Sequence, residues 1–359
     1  MINTKPNKMK ILILALSGIG DALMFTPAIE LMRKALPDAE IEALVMFKGV
    51  KDIYERNNCL NKVMFFNFMK EGATKSVRFL WTLRKKYDIT INVYPSNRAE
   101  YNIINFLIGA QSRAGVKYLR KDAVNLGILN NVRVTEDDSV HNVITNIRLV
   151  EKLLNKKFNS EPSLAFRLLG EDISFAQNYF NNINIKAEDL VIGFHPGSAT
   201  LKNHIYRRWE PEKFASLGSR LIKEKGARIL LFGGPEESEL KQNIHKLIDS
   251  TNCFLVETEN LAQSAAIMKR CNVFVSNDSS LMHVASAMQL KVASIIGPTN
   301  QDYIHPWKTE HRIVSLNLNC APCFFYSPRP LICTRTDVKF KCIKELTVKM
   351  VNKAVEELL

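Results

Sequence analysis

The segment Val273-Phe-Val-Ser-Asn-Asp-Ser-Ser-Leu-Met-His283, followed by Val292-Ala-Ser-Ile-Ile296 and the breaker Gly297-Pro298, sets a β-rich run, a polar turn, a helical stretch and a second strand in direct succession. Strand, helix and strand in that order join as a parallel crossover, which commits the chain to an α/β architecture with a sheet covered on both faces. Asp278, Ser279 and Ser280 open the helix, so their side chains are expected to cap it while its free N–H groups face an anionic ligand. The same pattern recurs at 190–215 and 228–248, giving the second half three such helix termini.

The first half repeats the alternation. Residues 11–16, 40–46, 63–66, 89–93 and 112–116 read as strands, and 22–35, 50–56, 74–86, 98–107 and 140–154 as helices. Further strands are expected at 191–194, 227–232, 254–256, 273–275 and 292–296. A chain of 359 residues exceeds the usual span of one core, which implies two domains. Residues 1–175 form the first and 186–342 the second, with the connection within 156–189. The tail 343–359 holds an amphipathic helix, with Val348, Val351, Ala354, Val355 and Leu358 near a helical period, and is expected to pack back on the first domain.

Charge narrows the partners. The 49 Lys and Arg against 36 Asp and Glu leave a net +13, which favours phospholipid headgroups, lipopolysaccharide, sugar nucleotides or nucleic acid. The cations are scattered, as in Arg84-Lys85-Lys86 and 202–208, and Phe324-Phe325-Tyr326 beside Arg329 builds no RNA-binding groove, so no specific nucleic acid is expected. Lys5, Lys8 and Lys10 before the apolar run 11–16 imitate a signal peptide, but the run breaks at Ser17-Gly18, far short of the ~20 residues that span a bilayer. The reading is a cytoplasmic protein whose membrane contact is peripheral.

The turn Ser17-Gly18-Ile19-Gly20-Asp21-Ala22 carries the first chemical signal. Two glycines after a first strand allow a close backbone approach, as in a dinucleotide fingerprint. The third glycine is missing, and Met46-Phe47-Lys48-Gly49 supplies no ribose-binding carboxylate after the second strand, which argues against NAD. Asp21 either caps the helix or faces the ligand as a general base. His195 is either a satisfied core histidine or part of a site, and His283 binds either a ligand or its own loop.

Taken in order, Gly18-Ile-Gly-Asp21 with Thr26-Pro27-Ala28, His195-Pro-Gly-Ser198, Arg207-Arg208-Trp209, Phe232-Gly-Gly-Pro235 with Glu236-Glu237, and Asp278-Ser-Ser-Leu-Met-His283-Val-Ala285 resemble glycosyltransferase family 9, the ADP-heptose:lipopolysaccharide heptosyltransferase family, over nearly the whole length. The resemblance implies a GT-B fold, two Rossmann-like domains facing each other across a cleft, with acceptor binding in the first and nucleotide-sugar binding in the second. It implies Asp21 as catalytic base, Gly18, Gly20 and Thr26 on the acceptor side, and donor contacts from Ser198, Arg207, Arg208, Glu237, Asp278, Ser279, Ser280 and His283. The expected reaction is inverting transfer of a heptose from ADP-L-glycero-D-manno-heptose to a lipopolysaccharide core. A protein acceptor, another nucleotide sugar and a non-catalytic sugar-nucleotide-binding module stand as alternatives. Arg207 replaces the family's more frequent lysine, and Asp278-Ser-Ser replaces Asp-Thr-Gly, so the donor loop differs in shape.

No Asp-x-Asp motif closes a strand, so Arg207, Arg208 and helix termini after Gly197, Gly234 and Asp278 are expected to stabilise the departing diphosphate without a required cofactor. Cys59, Cys253 and Cys271 read as small apolar residues. Cys320-Ala-Pro-Cys323, Cys333 and Cys342 have the number and spacing for a structural zinc or iron, for reduced thiols or for disulfides.

Overall fold

The computed structural model describes residues 8–325 and 330–359, so Lys5, Tyr326 and Arg329 lie outside the described residues. Each half of the chain alternates strand and helix until one sheet is complete. The first sheet comprises β1 (Lys10–Ala15), β2 (Glu40–Val45), β3 (Lys62–Phe65), β4 (Ile89–Asn92), β5 (Ser112–Lys117) and β6 (Val132–Thr135). The second comprises β7 (Val191–His195), β8 (Arg228–Leu231), β9 (Cys253–Leu255), β10 (Val273–Asn277), β11 (Lys291–Ile295) and β12 (His311–Val314). Their orders are β3-β2-β1-β4-β5-β6 and β12-β11-β10-β7-β8-β9, with every pairing parallel. Counted from its own first strand, each sheet is doubly wound in the Rossmann order.

That order follows from burial. Central strands must be apolar on both faces, and Ile11 to Ala15 and Val191 to Phe194 are all buried. The chain leaves β1 in one direction and β4 in the other, and β7 and β10 repeat the division. Loops diverge there and open a crevice beyond the strand carboxyl ends. Two strands escape the sequence reading, β6 and β12. Both are sheet edges with half-exposed, mixed sequences, Val-Arg-Val-Thr and His-Arg-Ile-Val, whose pattern lacks the contrast of a buried strand.

The compact units are Met1–Arg167 and Leu168–Leu359. Residues 168–175, expected in the first, belong to the second, because the helix Gly170–Asn182 packs on the helix Leu261–Met268. The terminal helix also departs from expectation. Instead of packing back on the first domain, Val348–Glu356 packs on β11, β12 and the helix Pro211–Lys225. Val351, Ala354, Val355 and Leu358 complete an apolar core around Trp209, whose indole N–H donates to the Leu346 carbonyl at 2.9 Å.

Candidate functional site

In the first unit, the helix Ile19–Ala35 begins directly beyond β1, at the switch point. Asp21, half-buried in its first turn, accepts the Gly18 N–H at 3.1 Å through Oδ2, so its carboxylate does cap the helix. Tyrosines hold both ends of this turn. The Tyr101 hydroxyl donates to the Leu16 carbonyl at 2.8 Å, and the Tyr54 hydroxyl to the Ala22 carbonyl at 3.1 Å. Burial, and after it the Asp21 charge, raises the Tyr54 pKa, so the clamp stays protonated. The Ser17 hydroxyl, beside Gly18, is buried without a hydrogen-bond partner. Gly20 is buried within the first helical turn, whereas Gly18 is exposed. Thr26 departs from its acceptor-side assignment: fully buried, it donates to the Leu23 carbonyl at 2.7 Å and accepts the Ala165 N–H at 2.8 Å. It braces the unit's last segment against the helix, with its hydroxyl spent on backbone.

The second unit gathers its polar residues beyond β7, β8 and β10. His195, the last residue of β7, has Nδ1 2.8 Å from Ser279 Oγ and Nε2 3.1 Å from Glu237 Oε2. It is thus part of a side-chain network and not a histidine satisfied by backbone. Glu237 is buried, which pushes its carboxyl upward. The His195 hydrogen bond and charge, the Gly234 N–H at 3.1 Å and Arg208 outweigh that cost and hold it below the usual carboxylate range. Gly197 makes the approach possible, since a Cβ there would stand 1.7 Å from Glu237 Oε1. Arg208 lies 3.5 Å from that oxygen and donates to the Ser198 hydroxyl at 3.3 Å and the Ser198 carbonyl.

Arg207 Nη1 pairs with Asp278 Oδ2 at 2.6 Å, and Thr299 donates to the same oxygen at 2.6 Å. The arginine's Nη2 meets His204 Nδ1 at 3.3 Å, its plane lies over Phe324 at 5.4 Å, and its buried Nε has no partner. Asp278 and Ser279 therefore do not cap the helix Ser280–Ala287 with their side chains, contrary to expectation. The aspartate is drawn to the guanidinium, and the Ser279 hydroxyl to His195 and Ser276. The helix N-terminus, opened by half-buried Ser280, keeps its N–H groups for a ligand. His283 is buried in this helix with Nδ1 unpartnered, and burial lowers its pKa to about 4.

The expected helix terminus after Gly197 is absent. Residues 201–207 form a broken 3-10 segment with Lys202 and Asn203 left-handed, and the α-helix starts only at Pro211. The C-terminal loop holds this segment in place: Leu331 N–H donates to the Lys202 carbonyl at 2.9 Å, and Tyr206 stacks on Phe340 at 4.4 Å. After Gly234 a 3-10 turn, Pro235–Glu237, leads into the helix Ser238–Ile248. Asn277 went unread: buried at the end of β10, it donates to the Pro196 carbonyl at 2.7 Å and accepts the Trp209 N–H at 3.0 Å, tying the two loops together. Its signal in the sequence is a polar pair, Ser276-Asn277, ending an otherwise apolar strand.

The C-terminal cysteines are free thiols. Among the described residues no group of three or more His, Cys, Asp or Glu is disposed to hold a metal ion. Cys320 accepts from Arg335 at 3.5 Å, Cys333 accepts the Phe340 N–H at 3.2 Å, and Cys342 is buried by Gly297. Burial first, and then the neighbouring thiols, push Cys342 up to about 11.

Comparison with known proteins agrees with this geometry. The family model for glycosyltransferase family 9 (heptosyltransferase) matches residues 77–329. Lipooligosaccharide heptosyltransferase 2 of Campylobacter jejuni is 27% identical over 208 residues, which cover 55% of this chain and 61% of that protein, so the match spans under two thirds of the relative's length. Lipopolysaccharide heptosyltransferase 2 of Escherichia coli is 24% identical over 320 residues, 86% of this chain and 88% of its own. The solved structure of the E. coli ADP-heptose lps heptosyltransferase II shares the fold with a TM-score of 0.73 at 20% identity, covering 98% of each chain. The fold is GT-B, built from two Rossmann-like units.

Proposed function

The chain belongs to glycosyltransferase family 9, and from that membership we propose that it transfers a heptose from ADP-L-glycero-D-manno-heptose to a lipopolysaccharide core acceptor, with inversion at the anomeric carbon. The observation that carries the reading is the set at the β7–β10 switch point, where a free helix N-terminus and two arginines anchored by buried carboxylates converge. Negative charge develops on the departing diphosphate during glycosyl transfer. Arg207 and Arg208 keep N–H groups beyond those given to Asp278 and Glu237, and stabilise that charge without reorganising. Ser198, Ser279, Ser280 and His283 orient the donor. Buried neutral His283 adds no charge of its own and offers Nδ1 as a hydrogen-bond partner. Asp21 takes the proton of the attacking acceptor hydroxyl, and its hold on the Gly18 N–H fixes the carboxylate's direction.

The acceptor is lipid-linked, so the enzyme works at the cytoplasmic face of the inner membrane. Among the described residues no helix is long and apolar enough to cross a membrane. The test is a screen of ADP-heptose and related nucleotide sugars against lipid and protein acceptors, read by product mass. Heptose addition to the lipid core is the expected result. Another sugar or a protein product redirects the substrate, and donor binding without turnover on any acceptor identifies a binding module instead.

A further inference from the structure

The helix Ala73–Leu83 in the first unit uses one face on the core. Phe79, Leu80 and Leu83 join the apolar cluster of Tyr101, Ile104 and Ile108. The opposite stripe, Thr74, Val77, Arg78 and Trp81 at i, i+3, i+4 and i+7, points outward. Val77 is 55% and Trp81 67% exposed, whereas Trp209 and Trp307 are 1% and 7% exposed. Val77 and Trp81 lie one helical turn apart, so they form a contiguous apolar strip and not two scattered side chains.

Within residues 70–88 the cations are Lys70, Lys75, Arg78, Arg84, Lys85 and Lys86 and the anions Glu71 and Asp88, and the neighbouring helix Ala99–Ile108 adds Glu100. Glu71 is paired with Lys75 at 3.2 Å, and Asp88 accepts the Lys10 N–H at 2.8 Å. The Arg84 guanidinium sits 4.7 Å from the Trp81 ring centroid. An amphipathic indole with an arginine against it, on a cation-rich segment, suits the headgroup layer of a bilayer, where the ring lies at the acyl boundary and the cations reach phosphate. A purely electrostatic polyanion site has no use for Val77.

We propose that this helix face docks the protein on an anionic phospholipid surface, with Val77 and Trp81 entering the headgroup layer and Arg78, Arg84, Lys85 and Lys86 pairing with lipid phosphates. The inference deepens the lipid-linked acceptor reading by naming the surface that meets the membrane. The full chain is mixed with phosphatidylethanolamine–phosphatidylglycerol vesicles, and separately with phosphatidylcholine vesicles, in the absence of nucleotide sugar and acceptor. Sedimentation with the anionic vesicles is expected, reversed by salt and accompanied by a blue shift of tryptophan emission, which reports Trp81 because the other two indoles are already buried. Trp81→Ser weakens partition by about tenfold. Arg78→Glu and Lys85→Glu each weaken it by roughly fivefold or more.

Circular dichroism and thermal melting on the same preparations establish that the variants fold. Equal sedimentation with both vesicle types overturns the proposal, as does unchanged affinity in Trp81→Ser. Failure to bind anionic vesicles while heparin still binds overturns it in favour of a polyanion site. Because no sugar is transferred in the assay, vesicle binding and heptosyl transfer fail independently.

Discussion

At the residue scale, one substitution separates the cap that Asp21 makes from the base role proposed for it. Asp21→Asn keeps an oxygen for the Gly18 N–H, so the cap and the fold survive, but the amide cannot take a proton. The expected outcome is unchanged ADP affinity and a fall in kcat/KM of about 100-fold to 10,000-fold, measured with a verified acceptor. An unchanged kcat/KM would leave Asp21 as a cap alone. His283 makes a prediction in pH. Its folded value of about 4 lies below the ordinary 6.5, so between those values the unfolded chain binds the proton that the native protein refuses. Its contribution is complete above 6.5 and is lost as pH falls toward 4. From about pH 7 to about pH 5 the loss is on the order of 2 kcal/mol. His204, also lowered to about 4 by burial and the Arg207 charge, adds the same sign. Urea unfolding at the two pH values should give a smaller difference in His283→Gln than in the parent protein; equal differences would place the proton uptake elsewhere.

At the scale of elements, the loop after β7 and the turn after β8 are fitted through Gly197. Gly197→Ala drives a Cβ into the Glu237 carboxylate and so displaces it from His195, Gly234 and Arg208. A cost of about 3 kcal/mol is expected, together with weaker ADP binding. The same change made in Glu237→Ala should cost much less, a coupling that a double-mutant cycle by denaturation measures; additive costs would refute the contact. What the sequence revealed of these elements follows burial. Central strands such as 11–16 and 273–275 read clearly because both faces are apolar, while edge strands β6 and β12 did not. Asp21, Asp278 and His283 could be singled out as candidates because each lies within a few residues of the end of a buried strand. Tyr54 and Tyr101 beside the Asp21 turn, and Thr299 and Phe324 beside the Arg207–Asp278 pair, could not be, since within each unit only tertiary packing brings them there from distant segments. The 201–207 segment misled because two left-handed non-glycine residues break a pattern that side-chain composition alone presents as helical.

At the scale of the whole molecule, two separate cores imply that a ligand held by one unit protects that unit first. Leu358 is fully buried in the core of the second unit, which also carries the Arg207–Asp278 pair of the proposed donor site. Leu358→Ala should cost about 2–5 kcal/mol by opening a cavity there. With the donor held there as proposed, saturating ADP should oppose that loss by about 2.7 kcal/mol at a hundredfold excess over Kd, through binding to the native second unit and not to its unfolded chain. In scanning calorimetry Leu358→Ala should therefore lower the same transition that ADP raises. Leu12→Ala, in the buried strand β1, should lower the other, leaving its response to ADP small. If ADP instead raises the transition sensitive to Leu12→Ala, the nucleotide rests on the first unit and the assignment of the donor to the β7–β10 switch point fails. If all three perturbations move one shared transition by comparable amounts, the units unfold together. The site is then decided by Arg207→Ala, which removes the anchored guanidinium and should abolish the ADP-induced shift only if the nucleotide binds beside Asp278.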